Sequence, residues 1–134
     1  MKYPVKIAQQ VATSEWQLTV PDLPGCTTSG KSIDDVLIRA QDSIADHLAI
    51  LSEYGESIPH ASAIDGFING QPQVNVVWAV VDFDIVPYLG KSHKINVTLP
   101  ELLIKKIDDR VSKSEKYKTR SGFIANACIV ELNK

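Results

Sequence analysis

Two stretches of the chain have residue types and spacing that can do chemistry. Residues 25–32 read Gly-Cys-Thr-Thr-Ser-Gly-Lys-Ser. That is a full match to the phosphate-loop pattern, in which glycine-rich backbone cradles phosphates, a lysine reaches the terminal ones and a hydroxyl meets magnesium. Fifty residues on, VVWAVVD (76–82) is an apolar run ending in Asp82, with Asp84 at i+2 on the same face of a strand end. Two carboxylates so placed are half of a metal site. Together the stretches spell a nucleotide hydrolase.

Their context spells something else. A phosphate loop follows a buried parallel strand directly and opens a helix whose N-terminus faces the phosphates. Here the strand before it alternates apolar and polar residues, and residues 21–24 intervene before Gly25. Asp34 and Asp35 stand in the first turn of the receiving helix. There they stabilise a free helix N-terminus by about 0.3–1 kcal/mol each and repel a triphosphate. A parallel nucleotide-binding sheet also needs repeated strand–helix–strand units, and this chain offers one long helix preceded by a hairpin. TTSGKS therefore reads as a polar loop delivering a capped helix, with Lys31 a solvated charge. No local pattern supplies a third carboxylate beside Asp82 and Asp84, Cys26 and Cys128 form no metal-ligand spacing, and His47, His60 and His93 do not cluster. The expectation is no catalysis, no metal and no cofactor, with both cysteines reduced.

The elements that position these residues follow from periodicity. Residues 2–11 read as a strand with Val5, Ile7 and Val11 apolar, and WQLTV (16–20) sets Trp16, Leu18 and Val20 against Gln17 and Thr19. The short link predicts a hairpin, and PDLPG stops the second strand. A long helix follows, with Ser32 as N-cap, Asp35 three residues on, and Ile33, Val36, Leu37, Ala40, Ile44, Leu48 and Leu51 as its apolar stripe. Gly55 is placed to end it. Residues 56–73 carry Pro59, Asp65-Gly66, Asn69-Gly70 and Pro72 and read as turns with one or two short strands. Residues 74–83 are almost wholly apolar, which predicts a strand covered on both faces, by the helix and by a partner chain. Trp16 and Trp78 read as core or subunit-interface residues. After a linker at 87–93, KINVTLP alternates Ile95, Val97 and Leu99 with Lys94, Asn96 and Thr98. Helices are expected over about 101–112 (Leu103, Ile107, Val111) and 120–132 (Phe123, Ile124, Ala127, Cys128).

The 134 residues suit one domain, or one domain and a small appendage. The longest apolar run falls short of the roughly 18 residues that suggest a membrane span, and the opening MKYPVKIAQQ has no signal-peptide core. The expectation is a cytoplasmic protein with no membrane partner. The net charge of −2 hides an asymmetry. Residues 1–90 carry 4 Lys or Arg against 11 Asp or Glu, a net of −7, while residues 91–134 carry 10 against 5, a net of +5. An acidic body suits a basic partner, and a basic tail suits a polyanion.

The segment VPDLPGCTTSGKSIDDVLIRAQDSI (20–44) resembles the signature of HicB-type antitoxins, as do YPV (3–5) and GESIPHAS (55–62). The resemblance covers nearly all of residues 1–86. It implies an α+β protein: a partial ribonuclease-H-like N-terminal domain over 1–86, too small to be an active nuclease, and a C-terminal DNA-binding module. It implies that the body binds and neutralises a HicA-type toxin, a small basic ribonuclease, which the net of −7 suits. Asp22, in the signature turn, serves either to cap the LPG backbone or to touch the toxin. Trp16 is the second toxin-contact candidate.

The tail's one strand and two helices resemble the Arc/MetJ-type ribbon-helix-helix, over 94–134. One lone strand in 44 residues cannot bury a satisfactory core. Two copies pair their strands antiparallel, turn Ile95, Val97 and Leu99 inward, and present Lys94, Asn96 and Thr98 to the major groove. Asn then pairs with adenine, Lys donates to guanine and the Thr methyl meets thymine. Thr119 as N-cap, with Arg120 and Ser121 in the first turn, forms the phosphate contact. Gly122 stands where family members often carry an acid, which weakens the helix start by about 1 kcal/mol and removes a charge that repels DNA. The expected protein is an antitoxin, not an enzyme, that represses its own operon. It is a homodimer through the ribbon, or a tetramer if strand 74–83 adds a second interface. The alternative is a ribbon-helix-helix repressor whose N-terminal domain senses a small ligand.

Overall fold

The hairpin forms where the alternation places it. In the computed structural model, which describes residues 1–68, 70 and 73–134, β1 (Lys2–Gln9) pairs antiparallel with β2 (Trp16–Thr19). β1 stops two residues short of the expected end. Gln10 N donates to Glu15 O at 2.8 Å, Ser14 N donates to Gln10 O at 2.9 Å, and Ser14 takes φ 58°. The turn thus consumes the residues that periodicity assigned to the strand, and Val11 is left in solvent.

Two further strands complete an antiparallel sheet of order β3-β2-β1-β4: β3 (Thr27–Gly30) beside β2, and β4 (Val76–Asp82) beside β1. The registers Ile7↔Leu18 and Tyr3↔Val81 put Tyr3, Val5, Ile7, Leu18 and Val81 on one face, all buried. Pro4 is tolerated because the β2 ladder begins only at Lys6, so β1 has a neighbour on one side alone at that point. β3 corrects the expectation that TTSG is a loop. All four residues are polar or glycine, so apolar periodicity cannot find the strand; its signal is backbone pairing with β2, at Leu18↔Thr28 and its neighbours.

α1 (Ile33–Glu53) lies on the buried face. Val36, Ala40, Ile44 and Leu48, at i+4 steps, are fully buried; each Val, Ile or Leu so placed stabilises by about 1.5–3 kcal/mol. Ile33, Leu37 and Leu51, also on the expected stripe, are half-buried. The helix ends in a Schellman cap: Gly55 takes φ +68°, its N–H donates to Ser52 O at 3.1 Å, and Glu56 N donates to Leu51 O at 2.8 Å.

The segment after the helix departs from expectation. It has no strand among the described residues; a single helical turn, α2 (Asp65–Ile68), is its regular element. The expected turn residues Asn69 and Pro72 lie outside the described residues. Phe67 of α2 stacks on Trp78 of β4, with centroids 5.3 Å apart and planes 11° from parallel. β4 is an edge strand, and in the single chain its Val77 and Val80 are exposed. A 3-10 turn (Val86–Tyr88) follows.

The chain divides into two compact units, Met1–Leu89 and Gly90–Lys134. The second contains α3 (Glu101–Lys113) and α4 (Arg120–Leu132). Tyr117 meets Phe123 edge-to-face at 5.2 Å. Ala127 and Cys128, expected on the apolar face of α4, are exposed, and Ile107 is this unit's buried apolar residue. Residues 91–100 have no strand ladder. A ladder needs a neighbouring strand, and this chain supplies none there.

Candidate nucleic-acid interface and protein-docking surfaces

In GCTTSGKS every residue has a structural task. Gly25 takes φ +86° in the turn between β2 and β3. A side chain on Gly30 would run into the Asp35 carboxylate and come within 3.0 Å of Val36 Cγ1. Ser32 Oγ accepts from Asp35 N at 3.0 Å, and the Asp35 carboxylate accepts from Lys31 N at 3.1 Å. A carboxylate thus occupies the helix start where a phosphate would have to sit. The Lys31 N–H, and secondarily the Arg39 side chain, hold the Asp35 carboxyl below the usual carboxylate range. The sheet is antiparallel throughout. Asp82 and Asp84 are also employed locally. Asp82 Oδ1 is 3.9 Å from the N-terminal ammonium, and Asp84 Oδ1 accepts from Val86 N at 3.1 Å. No group of three or more potential ligands for a metal is assembled among the described residues. Cys26 is buried, which raises its thiol pKa, and Cys128 is exposed; both are free.

Asp22 does a job that its place in the signature turn did not reveal. Its carboxylate accepts from Ser62 N at 2.8 Å and from Ser62 Oγ at 2.6 Å, forty residues away. Beside it, the Tyr3 hydroxyl donates to Pro59 O at 2.8 Å. Burial, and secondarily the Asp22 carboxylate, push that hydroxyl's pKa up to about 12. These bonds tie the segment after α1 onto the sheet. They join the three pieces that define the sequence signature: YPV, DLPG and IPHAS. Tyr3 and Ser62 were legible only as members of quoted motifs, not as partners. Trp16 is half-buried at the start of β2, on the face shared with Leu18. The outer side of α1 is acidic and partly apolar. Asp34, Asp42 and Asp46 face solvent with Ile38, Ile50 and Tyr54.

In the second unit, Lys94, Asn96 and Thr98 are exposed, as are the alternating Ile95 (79%) and Val97 (64%). Leu102, Leu103, Val130 and Leu132 are exposed too. At the start of α4, Thr119 Oγ1 accepts from Gly122 N at 3.0 Å, the expected N-cap bond. The N–H groups of Arg120 and Ser121 have no acceptor among the described residues. The Arg120 guanidinium is held: Nε and Nη2 donate to the two oxygens of Asp108 at 3.0 and 2.8 Å. The pair depresses the Asp108 pKa and raises that of Arg120. Sequence spacing gave no sign of this bond, because Asp108 and Arg120 belong to different helices.

The chain thus combines an acidic sheet unit that closes its own core with a basic helical unit that leaves Ile95, Val97, Leu102, Leu103, Val130 and Leu132 exposed. Residues 3–128 match the model of the HicB-like antitoxin family of bacterial toxin–antitoxin systems, and the chain belongs to that family. The crystal structure of the Burkholderia pseudomallei antitoxin HicB aligns over 99% of both chains at 32% identity, with a TM-score of 0.70. A chain from a HicA3 and HicB3 toxin–antitoxin complex shares the fold over 63% of this chain and 99% of its own, at 24% identity and a TM-score of 0.52. An uncharacterized 14.9 kDa protein from the rep-hol intergenic region of Haemophilus phage HP1 is 32% identical over 125 residues, 93% of this chain and 92% of its own.

Proposed function

We propose that the chain neutralises a HicA-type ribonuclease toxin through residues 1–86 and represses its own operon through residues 94–134, with 87–93 as linker. One observation carries the DNA-binding half. Ile95 and Val97 stand in solvent on an unladdered segment, alternating with Lys94, Asn96 and Thr98, directly before two helices. A second copy removes the exposure by pairing the two segments antiparallel, which yields a ribbon of the ribbon-helix-helix type and a homodimer. Lys94, Asn96 and Thr98 then read base edges, and the free N–H groups of Arg120 and Ser121, capped by Thr119, take a phosphate. Arg120 already shares its guanidinium with Asp108, so its part is the backbone one.

The toxin-binding half rests on the family and on charge. The acidic outer side of α1, with Ile38, Ile50 and Tyr54 among its aspartates, suits a basic protein surface. Trp16 stays a candidate contact. Asp22 acts through the fold, holding the segment after α1 by way of Ser62. The four-stranded unit is read as a partial ribonuclease-H-like fold without catalytic carboxylates in place, and the protein as cytoplasmic.

The test is a gel-shift and fluorescence-anisotropy series on the DNA upstream of the gene, beside co-expression with the toxin candidate encoded next to it. Lys94→Ala with Asn96→Ala should weaken operator binding about a hundredfold, at roughly 1–3 kcal/mol per base contact. Toxin neutralisation should remain. Loss of both activities together defeats the division of labour. Operator affinity should also fall steeply with salt.

A further inference from the structure

We infer that the open face of the sheet carries a small-molecule site, a cleft between Lys6, Trp78 and α2 that takes an aromatic carboxylate. Strand register builds its floor. Side chains alternate faces along a strand, and α1 covers the face of Tyr3, Val5, Ile7 and Leu18. Lys6, Val76 and Trp78 therefore stand on the opposite face, with Lys6 directly across from Trp78 and Ala8 across from Val76. Phe67 of α2 stacks on Trp78 and makes the wall, with Ile68 next to it in the lining. The cleft holds about 610 Å³, and Gln73 is its other polar side chain. Small-molecule pockets run from about 300 to 1,000 Å³.

The lining selects the chemistry. Lys6 and Trp78 are both half-buried. Arg39 is held by Asp35 at 3.2 Å, but the Lys6 ammonium has neither an ion pair nor a hydrogen bond among the described residues. At this level the open face reads Thr27, Thr19, Lys6, Trp78 from strand to strand, so no carboxylate stands in the row. A cation partly withdrawn from water and unopposed by a neighbour attracts an anion more strongly than a fully solvated one. One lysine balances one negative charge. A phosphate dianion would face a body of net −7, with no arginine fork in the lining to offset it. The ligand is therefore a monoanion. The rest of it is apolar and flat, to match Phe67, Ile68, Val76 and Trp78. Its carboxylate meets the Lys6 ammonium, within the class of donors that the Gln73 amide extends, and its ring lies against Trp78 and Val76. A basic protein surface is repelled by Lys6. The acidic outer side of α1, proposed above for the toxin, belongs to the sheet's other side.

The test is a titration of the full, ¹⁵N-labelled chain with naphthoate, with its neutral amide and with naphthylmethylammonium, followed by amide and indole N–H resonances. Naphthoate should give saturable shifts centred on Lys6, Val76 and Trp78, with a Kd of about a millimolar or tighter. The amide should bind at least about tenfold more weakly, since a hydrogen bond to a charged group is at stake, and the ammonium not at all. Lys6→Gln should erase the preference for the acid, Lys6→Arg should keep it, and Lys6→Glu should transfer it to the ammonium. Far-UV circular dichroism checks that each variant is folded; where Lys6→Glu is not, Lys6→Gln carries the test. Equal binding of acid and amide by the wild type overturns the inference. So does a preference for the acid that survives Lys6→Gln, or shifts that fail to saturate or centre on α1 or the second unit. Toxin neutralisation and operator binding are read in other assays, so failure of either role leaves this titration unchanged.

Discussion

Between Met1 and Leu89, fifteen apolar side chains, Pro4 among them, are withdrawn from solvent among the described residues; between Gly90 and Lys134, Ile107 alone is. The two units have similar means at hand. Both contain capped helices and alternating segments, and both end their helices with regular backbone bonds. They differ in where the second layer comes from. The first unit has four strands to lay beneath α1, so Tyr3, Val5, Ile7, Leu18 and Ile44 find partners in their own chain. The second has two helices and one unpaired segment, so Ile95, Val97, Leu102 and Leu103 find none. A unit that closes its own core has a stability independent of concentration. A unit that borrows its core is coupled to association by mass action. Under the proposed DNA-binding role, that coupling would also tie recognition to twofold symmetry.

The largest effect that sharpens this contrast is expected from Ile44→Ala. Emptying a fully buried site beneath the sheet should cost about 2–5 kcal/mol. The shift in urea midpoint should be the same at low and high protein concentration; a strongly concentration-dependent shift would break the distinction between the units. Next comes Ile95→Ala with Val97→Ala. Melting of the second unit, followed by amide resonances of α3 and α4, should rise with protein concentration in the wild type and lose that dependence in the variant. A wild-type transition insensitive to concentration would show that α3 and α4 are stable without a partner.

Smaller effects probe how the first unit is tied together. Gly25→Ala forces a side chain onto φ +86° and should cost about 1–2 kcal/mol in denaturant melts. Tyr3→Phe removes the bond to Pro59 and should cost about 1 kcal/mol. Its pH signature is more specific. The folded Tyr3 pKa, pushed up to about 12, lies above its ordinary value of 10.0. The corresponding stability is fully present below about pH 10 and is lost as pH rises through 12. Absorbance titration near 295 nm should show one late tyrosine, absent from the Phe variant. The smallest change is expected from Asp108→Asn, since exposed ion pairs contribute little. The Asp108 pKa is depressed in the folded state, so the pair's contribution is present above the ordinary carboxylate range and lost as pH falls through the depressed value. Freed from Asp108, Arg120 should raise operator affinity a few-fold in anisotropy titrations; a marked loss would mean that the pair positions the α4 start.

Much of this was legible in the residues. The apolar steps of α1, the Ser32 cap, the Gly55 stop and the bounds of α4 follow from local rules, because a helix makes its bonds within itself. The family was legible too, in DLPGC and its flanks. β3 was not, because TTSG offers no apolar alternation and becomes a strand only by pairing with β2. The edge position of β4 escaped for a related reason. An apolar run reports a wish for cover, and strand order decides whether cover is found. Asp22 was singled out correctly as special, but its partner was invisible from the turn that contains it.

The sequence by itself determined helices, caps, the acidic and basic division of the chain, and the family to which it belongs. These depend on residue type and short spacing. Only the tertiary structure decided that Gly30 is glycine because Asp35 and Val36 crowd it, that Asp22 reaches Ser62, that Asp108 holds Arg120, and that β4 stands at an edge. Each of these joins residues that the chain separates by more than one turn of any local rule. Such pairings are set by strand order and helix packing, where many local choices must agree at once.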